Sequence, residues 1–356
     1  MPKLPAFPPT VPPFPLSPVI LVLACSLLIP SSVWAQGYFL KDFQYFRPIV
    51  ADLRTSQNHI RIYRAGEVPF SNSTSQGDHW FLDGSFGERF SLLGYSFSTP
   101  DQEPFRNPGM SLFVDGAAHV LIDLNTESRD VINADYRIAL GVAVRVPFAP
   151  FLAFQYRFMH ESSHIGDEYT LFASRQPGFR RYNVSYEAND LYAAIDHRAS
   201  QVRSGPAQPF ISYMRAYVGF RRLNTDRHDG FTGLFEPASP VFLAAQQEYH
   251  VGGELYFRGW QPPEQRADAS WWSRLFAFQN WFIATDLKRE NRYDFQEPER
   301  TWSINVVLGL IFGESLGVTG ERTTRWEMSY YNGVNPHGQF RQDKLSYLGF
   351  AFVIDF

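Results

Sequence analysis

Residues Asp135–Val146 read DYRIALGVAVRV. In an extended chain Tyr136, Ile138, Leu140, Val142, Val144 and Val146 share one side, and Asp135, Arg137, Ala139, Gly141, Ala143 and Arg145 share the other. Such alternation is the pattern of a strand with one face in an apolar medium and the other in a polar one. The period recurs. Leu112–Asp123 sets Leu112, Val114, Val120 and Ile122 against Asp115, His119 and Asp123. Glu248–Arg258 sets Tyr249, Val251, Leu255 and Phe257 against Glu248, His250, Glu254 and Arg258. Arg325–Tyr331 sets Trp326, Met328 and Tyr330 against Arg325, Glu327 and Ser329. Leu348, Phe350, Phe352, Ile354 and Phe356 alternate to the last residue.

A soluble barrel alternates too. Two features favour a membrane barrel. Many runs reach about 10 residues, the length of a tilted crossing. The aromatic closing strand resembles the C-terminal signal of outer-membrane barrels. The fold class expected is all-β, an antiparallel transmembrane β-barrel of about 12 strands. The runs fall near residues 59–64, 80–97, 110–124, 131–146, 151–164, 182–197, 208–222, 243–258, 274–287, 300–312, 322–332 and 345–356. An even count leaves both ends on the periplasmic side, where the tight Pro147-Phe148-Ala149-Pro150 connection belongs. The longer loops near 165–181 and 223–240 then fall outside the cell.

The N-terminus carries Lys3, the apolar Val19–Ile29 and Val33-Trp34-Ala35, the signature of a secretory signal peptide over residues 1–35. Residues 36–58 are expected as a periplasmic arm and 59–356 as the barrel. Cys25 is the only cysteine and lies in the signal, so the mature chain has no disulfide or thiolate chemistry. A net charge of −4 has no basic footprint and sets nucleic acid aside.

Arg137, Arg145, Arg157, Arg215, Arg258 and Arg325 are expected to face inward with Asp115, Asp135, Glu161, Glu187, Glu254 and Glu327. Charges in such a space must pair or be wet, which leaves a narrow pore or none.

Phe46-Arg47-Pro48, Ala51-Asp52, Asp123-Leu124, Asp130–Asp135 (DVINAD), His160–Glu168, Asn183–Glu187 (NVSYE) and Gly333–Phe340 (GVNPHGQF) resemble the motifs of domain of unknown function 1207, a set of bacterial proteins. The resemblance implies an envelope protein of no settled activity. The family's H-Q-S-S-H-x-G-D-E pattern has Glu161 in place of the Gln here.

His160–His164 also spells H-E-x-x-H. In zinc peptidases that pattern needs a helix. Here Leu152, Phe154, Tyr156 and Phe158 approach as a strand. At about 3.3 Å per residue the two histidines stand roughly 13 Å apart, too far for one zinc. The outward phase continues through His160 and Ser162, near the outer edge of the bilayer. That placement is similar to outer membrane phospholipase A, which has H-x-S on its outer wall. The similarity implies Ser162 as nucleophile and His160 as base. Asn183, Glu168 and Glu187 are all conceivable third members, although Asn183, Ser185 and Glu187 are read on the inward phase.

The function expected first is a structural barrel or a narrow, occluded channel with an ordered polar extracellular rim, and hydrolysis of lipid acyl esters by Ser162 and His160 is the alternative. In the first of these, Arg157, Glu161, Asn183 and Glu187 form an inward network, and Ser163, His164, Asp167 and Glu168 organise the outer loop. Asp167 and Glu168 either take a divalent cation such as Ca2+ or pair with Arg175, Arg180 and Arg181. The partners expected are outer-membrane lipid (phospholipid or lipopolysaccharide), the barrel assembly machinery acting on the Phe356 strand, and a second copy in a homodimer. The location expected is the bacterial outer membrane, reached through the Sec pathway.

Overall fold

The computed structural model describes residues 36–39, 44–66, 78–97, 108–198, 210–233, 236–258, 280–293, 297–312 and 323–355. The signal-peptide reading, most of the connections read near 198–207 and 259–272, and Phe356 lie outside the described residues.

Fifteen strands form in chain order. They are β1 Gln36–Phe39, β2 Asn58–Ala65, β3 His79–Ser96, β4 Gly109–Asp123 and β5 Val131–Val146. Then come β6 Ala149–Ile165, β7 Arg180–Arg198, β8 Ile211–Leu223, β9 Arg227–Thr232 and β10 Glu236–Phe242. The last are β11 Gln247–Arg258, β12 Asn280–Arg292, β13 Glu299–Phe312, β14 Thr323–Val334 and β15 Lys344–Asp355. Each of the strands β2 to β7 pairs antiparallel with the next; β8 pairs with β11, and β11 to β15 continue the ladder. β15 pairs back to β2, with Phe350 opposite Ile62, and closes a barrel of twelve strands. β1 adds to β3, and the β9–β10 hairpin extends the sheet from the start of β7. The loop expected near 223–240 therefore carries a hairpin of its own.

The alternation sorts the faces as the physics requires. Ile138, Leu140, Val218, Val251, Met328 and Phe350 lie exposed on the outer wall, while Asp115, Asp135, Arg137, Glu254 and Glu327 are buried inside. A continuous apolar outer surface of this extent belongs against lipid, not water. No helix among the described residues is long and apolar enough to cross a membrane; the crossing is made by strands. Leu140→Arg, a charge placed on this outer face in the middle of β5, should destabilise the barrel by about 2 kcal/mol or more. Urea titration of barrels folded into lipid vesicles measures it, and an unchanged midpoint would remove β5 from the lipid-facing wall.

The stretch 44–57, which the sequence reading places in a periplasmic arm, runs through the lumen instead. Its partners come from all round the wall. Arg89 of β3 donates to Phe46 O (3.1 Å), and Arg215 of β8 to Arg47 O (3.0 Å) and Pro48 O (3.1 Å). Val50 N donates to Glu254 of β11 (3.2 Å), Asn305 of β13 to Ala51 O (2.8 Å), and Arg325 of β14 to Gln57 Oε1 (3.1 Å). Lys288 of β12 pairs with Asp52, and Ser56 hydrogen-bonds to Asp115 of β4. The apolar residues of the segment are divided among three clusters, Leu53 joining Tyr63, Phe81 and Leu121. Phe46 and Ile49 pack with Phe113, Tyr192 and Tyr217, and Val50 and Ala51 with Tyr213, Tyr256 and Phe282. The physical reason for the correction is the wall itself. Inward charges left to each other would have to ladder across an empty lumen, and the chain's own backbone carbonyls and carboxylates satisfy them at closer range.

A second segment enters from the opposite end. The 335–343 connection between β14 and β15 turns inward, with a short 3-10 turn at Gly338–Phe340. Arg341 donates to Glu248 (3.1 Å) and Glu290 (3.0 Å), and Gln339 Nε2 to Ser163 O (2.8 Å). Gly338 N meets the Asp135 carboxylate at 3.2 Å. A Cβ on Gly338 would lie 2.5 Å from the Ser163 Cβ, so only glycine allows this approach. Asp135 thus joins the two segments, for it also accepts from Arg54 Nη1 (2.8 Å) and Asn133 (2.7 Å). Two voids enclosed by this filling measure about 20 and 10 Å³, room for single waters.

Candidate functional site on the outer wall

β6 carries the candidate site because its two phases divide the polar cluster. Arg157, Glu161 and Ser163 point into the barrel. Arg157 pairs with Asp190 (2.8 Å) and Asp115 (3.4 Å), Glu161 with Arg54 (3.3 Å), and Ser163 donates to Asn133 Oδ1 (3.1 Å). These three belong to the lumen filling. His160, Ser162 and His164 take the other phase and face outward.

The neighbour on β7 is where the sequence reading has to be corrected. Asn183, Ser185 and Glu187 are exposed on the outer wall, not inward. Directly opposed residues in an antiparallel ladder share a face, and His160 opposes Glu187 as Ser162 opposes Ser185. The inward face of this part of β7 is Tyr182, Val184, Tyr186 and Ala188, packed with Met159, Leu223, Val241 and Tyr293. At this end the interior is an apolar cluster roofed by the β9–β10 hairpin. The rule of apolar outside and polar inside therefore reverses above the bilayer. The inward network expected of Arg157, Glu161, Asn183 and Glu187 is accordingly split, two on each side of the wall.

Reversal of β7 brings a carboxylate to the outward histidine. Glu187 Oε1 lies 3.2 Å from His160 Nδ1, with the two side chains 50% and 42% exposed. Ser162 Oγ lies 2.9 Å from His164 Nε2, so its hydrogen bond is to His164 and not to the His160 expected from H-x-S. His164 rests edge-on to Tyr136, with ring centroids 5.8 Å apart. Tyr136 is the residue opposite Ser162 on β5. Asn183 sits nearer the rim, opposite Asp229 of β9. Further down, Tyr156 Oη donates to Asn189 (2.7 Å), whose amide reaches Asn224 (3.1 Å). Below and beside the cluster the outer wall is apolar: Phe158, Ile138, Leu140 and Leu191 are all exposed. The polar residues therefore begin where the lipid-facing band ends.

The chemistry open to this arrangement follows from its tautomers. A carboxylate on Nδ1 holds the proton there and leaves Nε2 as a base. A serine on the same outward phase supplies the third kind of group in a Ser-His-acid unit, although the hydrogen bond that Ser162 makes in this structure is to His164. Asp167 and Glu168 lie in the first turn of helix α1, Asp167–Ala173, both exposed. Among the described residues no three His, Cys, Asp or Glu side chains form a metal-holding group.

Plug, wall and rim together define an outer-membrane-type barrel filled by its own chain. It belongs to a family of proteins of unknown function, DUF1207, whose model matches residues 24–205. That span holds the 44–57 segment, His160, Ser162, His164 and Glu187, whereas the inward loop at 335–343 lies beyond it. Among solved structures, the chain is similar to the transport unit of the autotransporter AIDA-I from Escherichia coli at 11% identity, covering 95% of this chain and 97% of that one with a TM-score of 0.36. It is also similar to the translocator domain of autotransporter NalP from Neisseria meningitidis at 9% identity, covering 86% and 91% with a TM-score of 0.32. Both are distant likenesses of one barrel to another. No curated protein matches it.

Proposed function

We propose that this protein works on its outer wall, as an acyl-ester hydrolase acting on outer-membrane lipid. The observation that supports the reading is the Glu187 carboxylate on His160 Nδ1, beside a serine of the same outward phase. Ser162 Oγ attacks the ester carbonyl and passes its proton to His160 Nε2. Glu187 stabilises the imidazolium that forms. The proton then goes to the departing alkoxide, and water, activated by the same imidazole, releases the fatty acid from Ser162. For the first step Ser162 leaves His164 by turning between staggered χ1 wells. The apolar wall formed by Phe158, Ile138 and Leu191 suits an acyl chain lying against it. The protein reaches the outer membrane through the Sec pathway, with residues 1–35 as signal and the C-terminal strand read by the assembly machinery. Fatty-acid release from phospholipid and from lipopolysaccharide in mixed micelles tests the activity. Release that is lost with Ser162→Ala supports it, and no release from either lipid, with calcium and at protein concentrations that allow dimers, overturns it.

A second reading rests on the filled lumen: an occluded barrel without steady transport. The purified protein should then show no steady ion conductance in a planar bilayer. Persistent wild-type channels of even one conductance level would overturn it.

A further inference from the structure

A further cavity lies at one end of the lumen, away from the outer-wall cluster. It has a volume of about 360 Å³ and opens at the same end of the barrel as the 335–343 loop. Its floor is apolar and aromatic: Tyr63, Phe81, Leu121, Ile132 and Phe340, all belonging to one buried cluster. Its rim is polar and carries Arg292, Asn335, Asp343 and Lys344.

The charges on that rim are not equivalent. Arg292 is already engaged, donating to Gln342 O (2.7 Å) and Glu299 (3.0 Å). Asp343 is held in the loop by its backbone, and burial pushes its carboxyl up to about 6 against the pull of Arg292. The Lys344 side chain, at the start of β15, has no hydrogen-bond or ion-pair partner among the described residues. The rim therefore offers one uncommitted cation, above a floor that gains by being covered. Cavities of this size with aromatic walls and few polar groups are the usual form of small-molecule sites.

We propose that this cavity binds a small amphipathic anion, its apolar body on Tyr63, Phe81 and Phe340 and its acidic head at Lys344. The site is separate from Ser162 and His160 and does not depend on hydrolysis. Because Phe340 belongs to the inward loop, an occupant also rests on the segment that fills this end of the lumen.

Saturation-transfer NMR on the full-length protein in lipid nanodiscs tests the proposal, with 4-phenylbutyrate as probe and 4-phenylbutylamine and 4-phenylbutanol as its cationic and neutral counterparts. Empty nanodiscs supply the background from lipid. The expected result is transfer to the butyrate well above background and above both counterparts. Lys344→Ala should weaken butyrate binding about tenfold, as loss of one charge-assisted contact does. Ser346→Trp, which fills the mouth of the cavity, should abolish it. Heat-modifiable gel mobility shows that each variant is folded, and Leu345→Trp replaces Ser346→Trp if that one is not. Equal or stronger binding of the amine, transfer at background for all three probes, or butyrate binding unchanged in the Lys344→Ala protein overturns the site.

Discussion

Ser162→Ala should lower fatty-acid release to the level of protein-free micelles, a loss of about 10⁴-fold or more if Ser162 is the nucleophile. His160→Ala should cost about 10²- to 10⁴-fold, the usual contribution of a positioned general base. The informative comparison is with His164→Ala. In the resting structure the serine is bonded to His164, yet the histidine with a carboxylate behind it is His160. If His160 is the base, His164→Ala frees Ser162 to turn and leaves most of the activity. If His164→Ala abolishes release while His160→Ala does not, the roles proposed for the two histidines are reversed and Glu187 has no part in catalysis. Glu187→Gln separates orientation from charge, because the amide can still hold the ring but does not stabilise an imidazolium. It should lower the rate less than His160→Ala does. All four side chains lie on the outer wall, so these substitutions leave the lumen filling untouched and the barrels should fold normally.

Arg54→Ala should destabilise the barrel by about 3–5 kcal/mol, the cost of leaving buried carboxylates without their cation. Arg54 is bound to Asp135 at 2.8 Å and Glu161 at 3.3 Å, and all three are buried. The loss is largely the penalty on the two remaining charges rather than the worth of the pairs. The triple variant Arg54→Ala, Asp135→Asn, Glu161→Gln should therefore recover a good part of it. Urea unfolding of the barrels in vesicles reads both, and Arg54→Ala within about 0.5 kcal/mol of wild type, the scatter of a plain surface substitution, would place this arginine outside the packed lumen. Because Asp135 also receives Gly338 N, the same variant should loosen the 335–343 loop, seen as faster amide exchange there.

The wall was legible from alternation alone. The runs read near 131–146, 110–124 and 300–312 form strands Val131–Val146, Gly109–Asp123 and Glu299–Phe312. The apolar phase of each carries its own address, since lipid and a charged lumen are chemically opposite. The same reasoning failed on β7 for the same reason. Alternation read for a lipid-facing wall puts Asn183, Ser185 and Glu187 inward, but above the bilayer the outer wall meets water and the interior is an aromatic cluster holding Tyr182, Val184 and Tyr186. A polar phase of Asn183, Ser185 and Glu187 next to a polar phase of His160 and Ser162 was the available signal that the rule had turned over.

The lumen filling had no such signal. Residues 44–57 have no periodicity, and nothing local distinguishes a segment threaded through a barrel from one lying beside it. Only the inward excess of charge hinted that something must occupy the space.

Sequence by itself determined the barrel, its strand count and the outward placement of His160 and Ser162, because a two-residue period against two unlike media is a local property. Tertiary structure decided the rest. Which carboxylate stands behind His160, which histidine holds Ser162, and what fills the lumen all depend on register between strands and on contacts between residues far apart in the chain, such as Arg54 with Asp135 and Gly338 with Asp135. A shift of one residue in that register turns every side chain to the other face, and no single strand's sequence records which register its neighbour will take.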